Sequence, residues 1–318
     1  MTTTTPLPSF GQQWSSAVVD FPVSSLRIIE VTGPDAAKFL QGQLTCDMAA
    51  VNDATWVAGG YCDAKGKLWS TFRIFAREQG FWLLVSQHSL ADTLTQLKKY
   101  AVFSKVAIQD ISAQWTFTAH WGAKAAEQFQ LSAEQVKAET PQQILIALHT
   151  GLVLNLQFQE ADKERSERSE NESAWWCAAE LELGWVNVPA AQGAVYIPQM
   201  LNLDLNQGIN FKKGCYIGQE TIARMHYKGQ NKRRTRCFTG SLSDPAFDTA
   251  GATLEMKIGE NWRRAGAVLT SVRYHKGVVA ILAVVPTELE TDAEFRLNGQ
   301  NDSQFTLCPL EHKMEPHS

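Results

Sequence analysis

The chain has 318 residues, 44% apolar and 19% charged, with a formal net charge of −4. This is the composition of a globular protein with room for two or three domains, and it excludes a general binder of nucleic acid or membrane surfaces. The N-terminal stretch has no basic region followed by an apolar run, and no segment is long and apolar enough to span a bilayer, so a cytoplasmic protein is expected.

Leu26 to Val31 alternates as a strand, and Thr32-Gly33-Pro34-Asp35 then opens a helix whose apolar face is Ala36, Ala37, Phe39 and Leu40, ending in the polar stretch Gln41 to Asp47. Lys67 to Ala76 and Phe81 to Ser86 read as strands around a Glu78-Gln79-Gly80 turn. Ser89 is the expected cap of a helix carrying Leu90, Leu94 and Leu97. Short strands follow near 105–111, 114–120, 143–148 and 151–157, with a helix near 123–130. The charged run at 160–172 reads as a solvated loop, and Ser173 as the cap of a helix through Trp175, Trp176 and Leu181. After about residue 236, turn signals at Gly259-Glu260-Asn261, Lys276-Gly277 and Asn298-Gly299 punctuate short strands, which predicts a small β-barrel or sandwich. The expected fold class is therefore α+β, divided into residues 1–235 and an all-β unit at 236–318.

Cysteines stand at 46, 62, 177, 215, 237 and 308, without CxxC pairs, and read as free thiols. No zinc- or cluster-ligand spacing is present, so no metal site is expected. Most of the ten tryptophans are expected in the core.

Three stretches could carry chemistry. In Lys212-Lys213-Gly214-Cys215-Tyr216-Ile217-Gly218-Gln219-Glu220, one thiol lies between two glycines, after two lysines and before a predicted helix. Nearby ammonium groups and a helix N-terminus favour thiolate, which points to reactivity or ligand contact at Cys215; a buried small cysteine is the other reading. The basic run Lys228, Lys232, Arg233, Arg234 and Arg236 suits a carboxylate or phosphate, or is a solvated loop; Lys213, Lys228, Arg233 and Arg234 are the candidate anion contacts. In Tyr61 to Ser70, Ala64-Lys65-Gly66 reads as a tight turn, where Asp63 bonds its own backbone more commonly than it serves as a base. No GxSxG, Walker loop or GxGxxG occurs.

The run Lys213 to Glu220 matches the K-G-C-Y-x-G-Q-E signature of the folate-binding YgfZ family, which is related to the aminomethyltransferase (T protein) of the glycine cleavage system. Gln41 to Asp47, Cys62 to Ser70, Leu97 to Lys105 and Gly259 to Arg264 also resemble bacterial members, so the resemblance covers roughly residues 20–310. It implies a ring of two α+β domains and a C-terminal β-barrel around a central channel that holds tetrahydrofolate. It further implies a role in making or repairing iron–sulfur enzymes, such as a tRNA methylthiotransferase met transiently, with no stable nucleic-acid binding and no membrane partner.

Residue by residue, the position of a pterin-contacting tryptophan in bacterial members is Leu26 here, while a second family tryptophan is retained as Trp176. The transferases' catalytic aspartate falls at about Ser70 or Thr71, neither of them a carboxylate. The resemblance thus implies a folate-binding protein with a functional thiol at Cys215 rather than a stand-alone enzyme; the alternative is a folate-dependent one-carbon transferase.

Overall fold

The computed structural model describes residues 8–11, 15–159, 170–189, 193–229, 231–290 and 293–310. In chain order the elements begin with β1 (Val19–Pro22), β2 (Leu26–Thr32), α1 (Ala36–Gln43), β3 (Val57–Cys62), β4 (Leu68–Arg77), β5 (Gly80–Ser86) and α2 (Gln87–Tyr100). They continue with β6 (Ala107–Asp110), β7 (Trp115–Trp121), α3 (Ala125–Gln128), β8 (Val136–Thr140), β9 (Gln143–His149), β10 (Leu152–Phe158), α4 (Glu170–Glu182) and α5 (Gln219–Tyr227). The last part is all strand: β11 (Arg233–Ser241), β12 (Thr253–Ile258), β13 (Asn261–Arg273), β14 (Val279–Pro286), β15 (Phe295–Leu297) and β16 (Gln300–Cys308).

These strands make two five-stranded antiparallel sheets, ordered β3-β4-β5-β2-β6 and β1-β7-β10-β9-β8, and a closed barrel, β11-β14-β13-β12-β15-β16. The α+β expectation holds, and the three turn signals after residue 236 fall at the β12–β13, β13–β14 and β15–β16 connections. Closure of β16 onto β11 leaves the barrel without a free edge. One continuous apolar core joins all three sheets: it takes Ile28 and Leu84 from the first, Phe117 and Ile144 from the second, Trp175 and Trp176 from α4, and Leu282 and Val284 from the barrel.

Local expectations need four corrections. Ser86, not Ser89, caps α2, its hydroxyl accepting from the His88 N–H; Ser89 lies inside the helix, buried, where its carbonyl accepts from the Thr93 hydroxyl. The helix near 123–130 shrinks to the single turn of α3. The α4 backbone is already helical at Glu170, so it does not start at Ser173, and the remainder of the charged run, 160–169, lies outside the described residues. Strands β1, β3 and β8 were not anticipated from the pattern. No helix among the described residues is long and apolar enough to cross a membrane.

Candidate functional site

Two of the three stretches singled out by chemistry, the Cys215 segment and the Tyr61–Ser70 turn, meet in space. Lys213 turns inward and its ammonium donates to the carbonyls of Gln41, Leu44 and Cys46 at 2.7, 2.8 and 2.7 Å, fastening the segment before Cys215 to the end of α1. Burial lowers its pKa to about 8, opposed by Cys46 and Asp47. Asn210 shapes the approach, its side-chain oxygen accepting from the Lys212 and Lys213 N–H groups at 2.8 and 2.9 Å, while Asn210 N–H and Ile217 N–H donate to the carbonyls of Thr45 and Gly42. On the far side, Gly218 ends the segment in the left-handed region, φ 83°, and is the N-cap of α5. A side chain cannot be placed there: a Cβ would lie 2.6 Å from the Asp63 carbonyl oxygen and 2.7 Å from Gly66 Cα. Gly66 in turn holds the β3–β4 turn, where Asp63 accepts from the Lys65 and Lys67 N–H groups, as expected of a turn aspartate. Asp47 accepts from Ala49 N–H and Gln41 nearby, and from the Asn210 side chain at 3.4 Å.

Cys215 stands exposed between these two anchors. Its packed-core reading is excluded, but the source of activation first expected is corrected. The Lys213 ammonium is spent on three carbonyls and faces away from solvent. Gly214, unlike Gly218, needs no special backbone angle and has open space around its Cα.

The basic run is corrected in the same way. Arg233 donates to the carbonyls of Ala265 and Val284 at 2.6 and 2.8 Å, tying β11 into the barrel. Arg234 makes a two-pronged pair with Asp204 at 2.9 and 2.8 Å. Neither guanidinium waits for an anion, and of the four candidate contacts only Lys228 is exposed and without a side-chain bond partner among the described residues.

Leu26 and Trp176 both lie in the main core, each 2% exposed. Trp176 therefore does not present an open face in this structure; its indole N–H donates to Glu180 one turn along α4. Glu180 is the centre of a buried polar group that sequence reading missed. It accepts from Arg73 of β4 at 2.9 Å and from Asn187 at 2.6 Å. The Arg73 guanidinium lies 3.8 Å from the Trp185 ring centroid and 5.8 Å from that of Trp56. Burial pushes the Glu180 carboxyl up and the Arg73 guanidinium down, and their mutual attraction holds both charges in place. Arg73 Nε has no hydrogen-bond partner among the described residues, an unmet donor beside two tryptophan rings. The signal was a lone charge inside each of two apolar runs, Leu68-Trp69-Ser70-Thr71-Phe72-Arg73-Ile74-Phe75 and Ala178-Ala179-Glu180-Leu181.

Residues 12–149 match the family model described as the GCVT N-terminal domain, and residues 231–301 that of the YgfZ β-barrel domain. The "tRNA-modifying protein YgfZ" of Escherichia coli O157:H7 (strain EC4115 / EHEC) is 37% identical over 98% of this chain and 99% of that protein. The chain belongs to the YgfZ family. The protein of the same name from Klebsiella pneumoniae (strain 342) is 36% identical, with 98% of both chains covered. Among solved structures, the glycine cleavage system aminomethyltransferase T from Bartonella henselae superposes with a TM-score of 0.65 over 92% of this chain and 85% of that one, at 16% identity. This YgfZ-family chain thus has the aminomethyltransferase fold, with the closed six-stranded barrel at its C-terminal end.

Around Trp176 the donor chemistry suits a folate but the packing is closed, since Trp176, Trp56, Trp185 and Arg73 are all buried. A pterin carries acceptor atoms for a donor such as Arg73 Nε, which is unmet among the described residues. Ser70 and Thr71, where the related transferases carry a carboxylate, are both buried, and the Thr71 hydroxyl is committed to the Val186 carbonyl at 2.9 Å.

Proposed function

We propose that this YgfZ-family protein is a cytoplasmic folate-binding protein that supports the assembly or repair of iron–sulfur enzymes and, through one of them, tRNA modification. The name its relatives carry and its GCVT N-terminal domain support the coarser part, a folate-related role in tRNA modification. The observation that carries the finer part is Cys215, exposed on a segment whose flanks are pinned to α1 and to the β3–β4 turn. A thiol held that way is positioned to touch a partner. Tetrahydrofolate, when bound, supplies a one-carbon unit or reducing equivalents. Trp176 and Leu26 are the expected ring contacts, and because both are buried, binding requires the packing around them to open, with Glu180 keeping Arg73 oriented beside them. Cys215 is the contact for the iron–sulfur protein being served.

Aminomethyl transfer, the alternative, has less support, because hydroxyls at Ser70 and Thr71 do not titrate near neutral pH and cannot replace a carboxylate in acid–base work. Titrating tetrahydrofolate while following tryptophan emission tests the ligand: quenching is expected, weakened in Trp176→Phe, and an absence of both quenching and thermal shift sinks it. Full restoration of iron–sulfur enzyme activity in a deletion strain by Cys215→Ala sinks the role of the thiol.

A further inference from the structure

A cavity of about 870 Å³ lies between the Gln199–Lys212 segment, the C-terminal half of α5 and the start of the barrel. It is separate from the Trp176 centre and is not used by the function proposed above. Two of its lining side chains are amides with one end unmet. Gln199, 2% exposed, donates from Nε2 to the Ile222 carbonyl at 2.7 Å, while its Oε1 is buried without a partner among the described residues. Asn231 donates from Nδ2 to the Gln199 carbonyl at 3.3 Å, and its Oδ1 is likewise buried and unpartnered among the described residues. Flipping either amide would set oxygen against oxygen, so the unmet ends are both acceptors and ask for N–H donors. The cavity's guanidinium does not supply them, since Arg234 is paired with Asp204.

The remaining walls select a flat ring with an anionic end. Phe211 and His226 stack at 3.7 Å with 13° between their planes, and Tyr227 stands edge-on to both, 70% exposed. Lys212 is exposed, with no ammonium partner among the described residues, and Lys228 and Lys232 next to other lining residues are exposed too. Aromatic platforms flanked by lysines hold unstacked bases and their phosphates.

The geometry points to a guanine nucleotide as the ligand of this cavity: its N1–H and 2-amino group donate to Gln199 Oε1 and Asn231 Oδ1, its ring lies against the Tyr227 side of the aromatic set, and its phosphate meets Lys212. Guanine is chosen over adenine because its edge carries two neighbouring donor groups, one for each acceptor. The same chemistry is offered by a free nucleotide and by an unpaired guanosine in an RNA strand. With a net charge of −4, the site is local and not a general RNA surface.

Calorimetric titration of the full chain with guanosine 5′-monophosphate, inosine 5′-monophosphate and a short single-stranded RNA ending in guanosine tests this. Saturable binding of the guanosine nucleotide is expected. Removal of the 2-amino group, as in inosine, and the surface variants Tyr227→Ala and Lys212→Ala should each weaken it about tenfold without moving the melting temperature. Tighter binding of the RNA than of the mononucleotide assigns the strand as source; equal or weaker binding assigns the free nucleotide. No saturation by either probe up to about 5 mM, or binding indifferent to both variants, overturns the proposal. Displacement by tetrahydrofolate whose own binding is lost in Tyr227→Ala also overturns it, giving the cavity to the folate. A failure of tetrahydrofolate to bind at all bears on the folate reading alone.

Discussion

Gly218 and Gly66 touch backbone to backbone, with Gly218 in the left-handed region and its Cα facing Gly66 so closely that a methyl group would stand 2.7 Å from the Gly66 Cα. Gly218→Ala therefore combines an unfavourable φ with a clash against main chain that cannot rotate away. A loss of about 2–4 kcal/mol is expected in urea denaturation. Gly214→Ala, four residues earlier with open space around it, should stay within about 0.5 kcal/mol. Equal effects at the two glycines would contradict the packing described.

Lys213→Met keeps most of the stem's packing but removes three hydrogen bonds to the end of α1. It leaves the carbonyls of Gln41, Leu44 and Cys46 short of a donor, and a loss of about 2–4 kcal/mol follows from their partial desolvation. Hydrogen exchange at the amides of Asn210 and Ile217, which bond the same loop, should quicken in step with it. Lys228→Met, on the exposed run, should change neither.

Cys237 and Cys308 are directly opposite one another on β11 and β16. The neighbouring Cys237 brings the Cys308 pKa down to about 7, against burial and Glu182, which push it up. Its ordinary value is 9.0, so the thiolate's contribution to stability is present above about pH 9 and is lost as pH falls through about 7. Alkylation of Cys308 by iodoacetamide, read by mass spectrometry, should rise through a midpoint near pH 7, and Cys237→Ala should move that midpoint upward. A midpoint that ignores Cys237 would rule out the thiol pairing.

Removing one member of a buried ion pair strands the other. Arg73→Met leaves Glu180 as a buried carboxylate with only Asn187 and Trp176 as donors, and should cost about 3–5 kcal/mol. The double variant Arg73→Met with Glu180→Leu should recover much of that loss, since a buried pair replaced by apolar groups is often close to neutral. Thermal melts of the three proteins decide it; additive losses would mean that the pair does not interact.

Much of the fold can be read along the chain, because its strongest cues are local. The alternation in β2, the turn between β4 and β5 and the three barrel turns each lie within a few residues of what they specify. Strand β3 is masked by Gly59-Gly60, residues depleted from strands in general. Here Gly59 is demanded by a partner elsewhere in the chain, since a Cβ on it would sit 2.4 Å from the Phe72 ring. The site shows the same divide. Cys215 and its glycine at 218 stand out in the sequence, and the cysteine is exposed as their surroundings suggest. The directions taken by Lys213, Arg233 and Arg234 do not stand out, because each is set by carbonyls or a carboxylate contributed from 30 or more residues away. Trp176 was found by kinship with other chains, whereas the Arg73–Glu180 pair needed attention to single charges in apolar company.

The bonds from Lys213 to the α1 loop span 167 to 172 residues of chain. A ribosome adding about 5–20 residues per second delivers the lysine about 10–30 s after its acceptors have emerged. For that interval the loop at Gln41 to Cys46 must persist without the ammonium that completes it, so the first sheet can only be provisional while the chain is being made. Arrival of residues 212–218 closes it from the C-terminal side, and the presentation of Cys215 becomes a report that both sheets have been made, with only α5 and the barrel still to come.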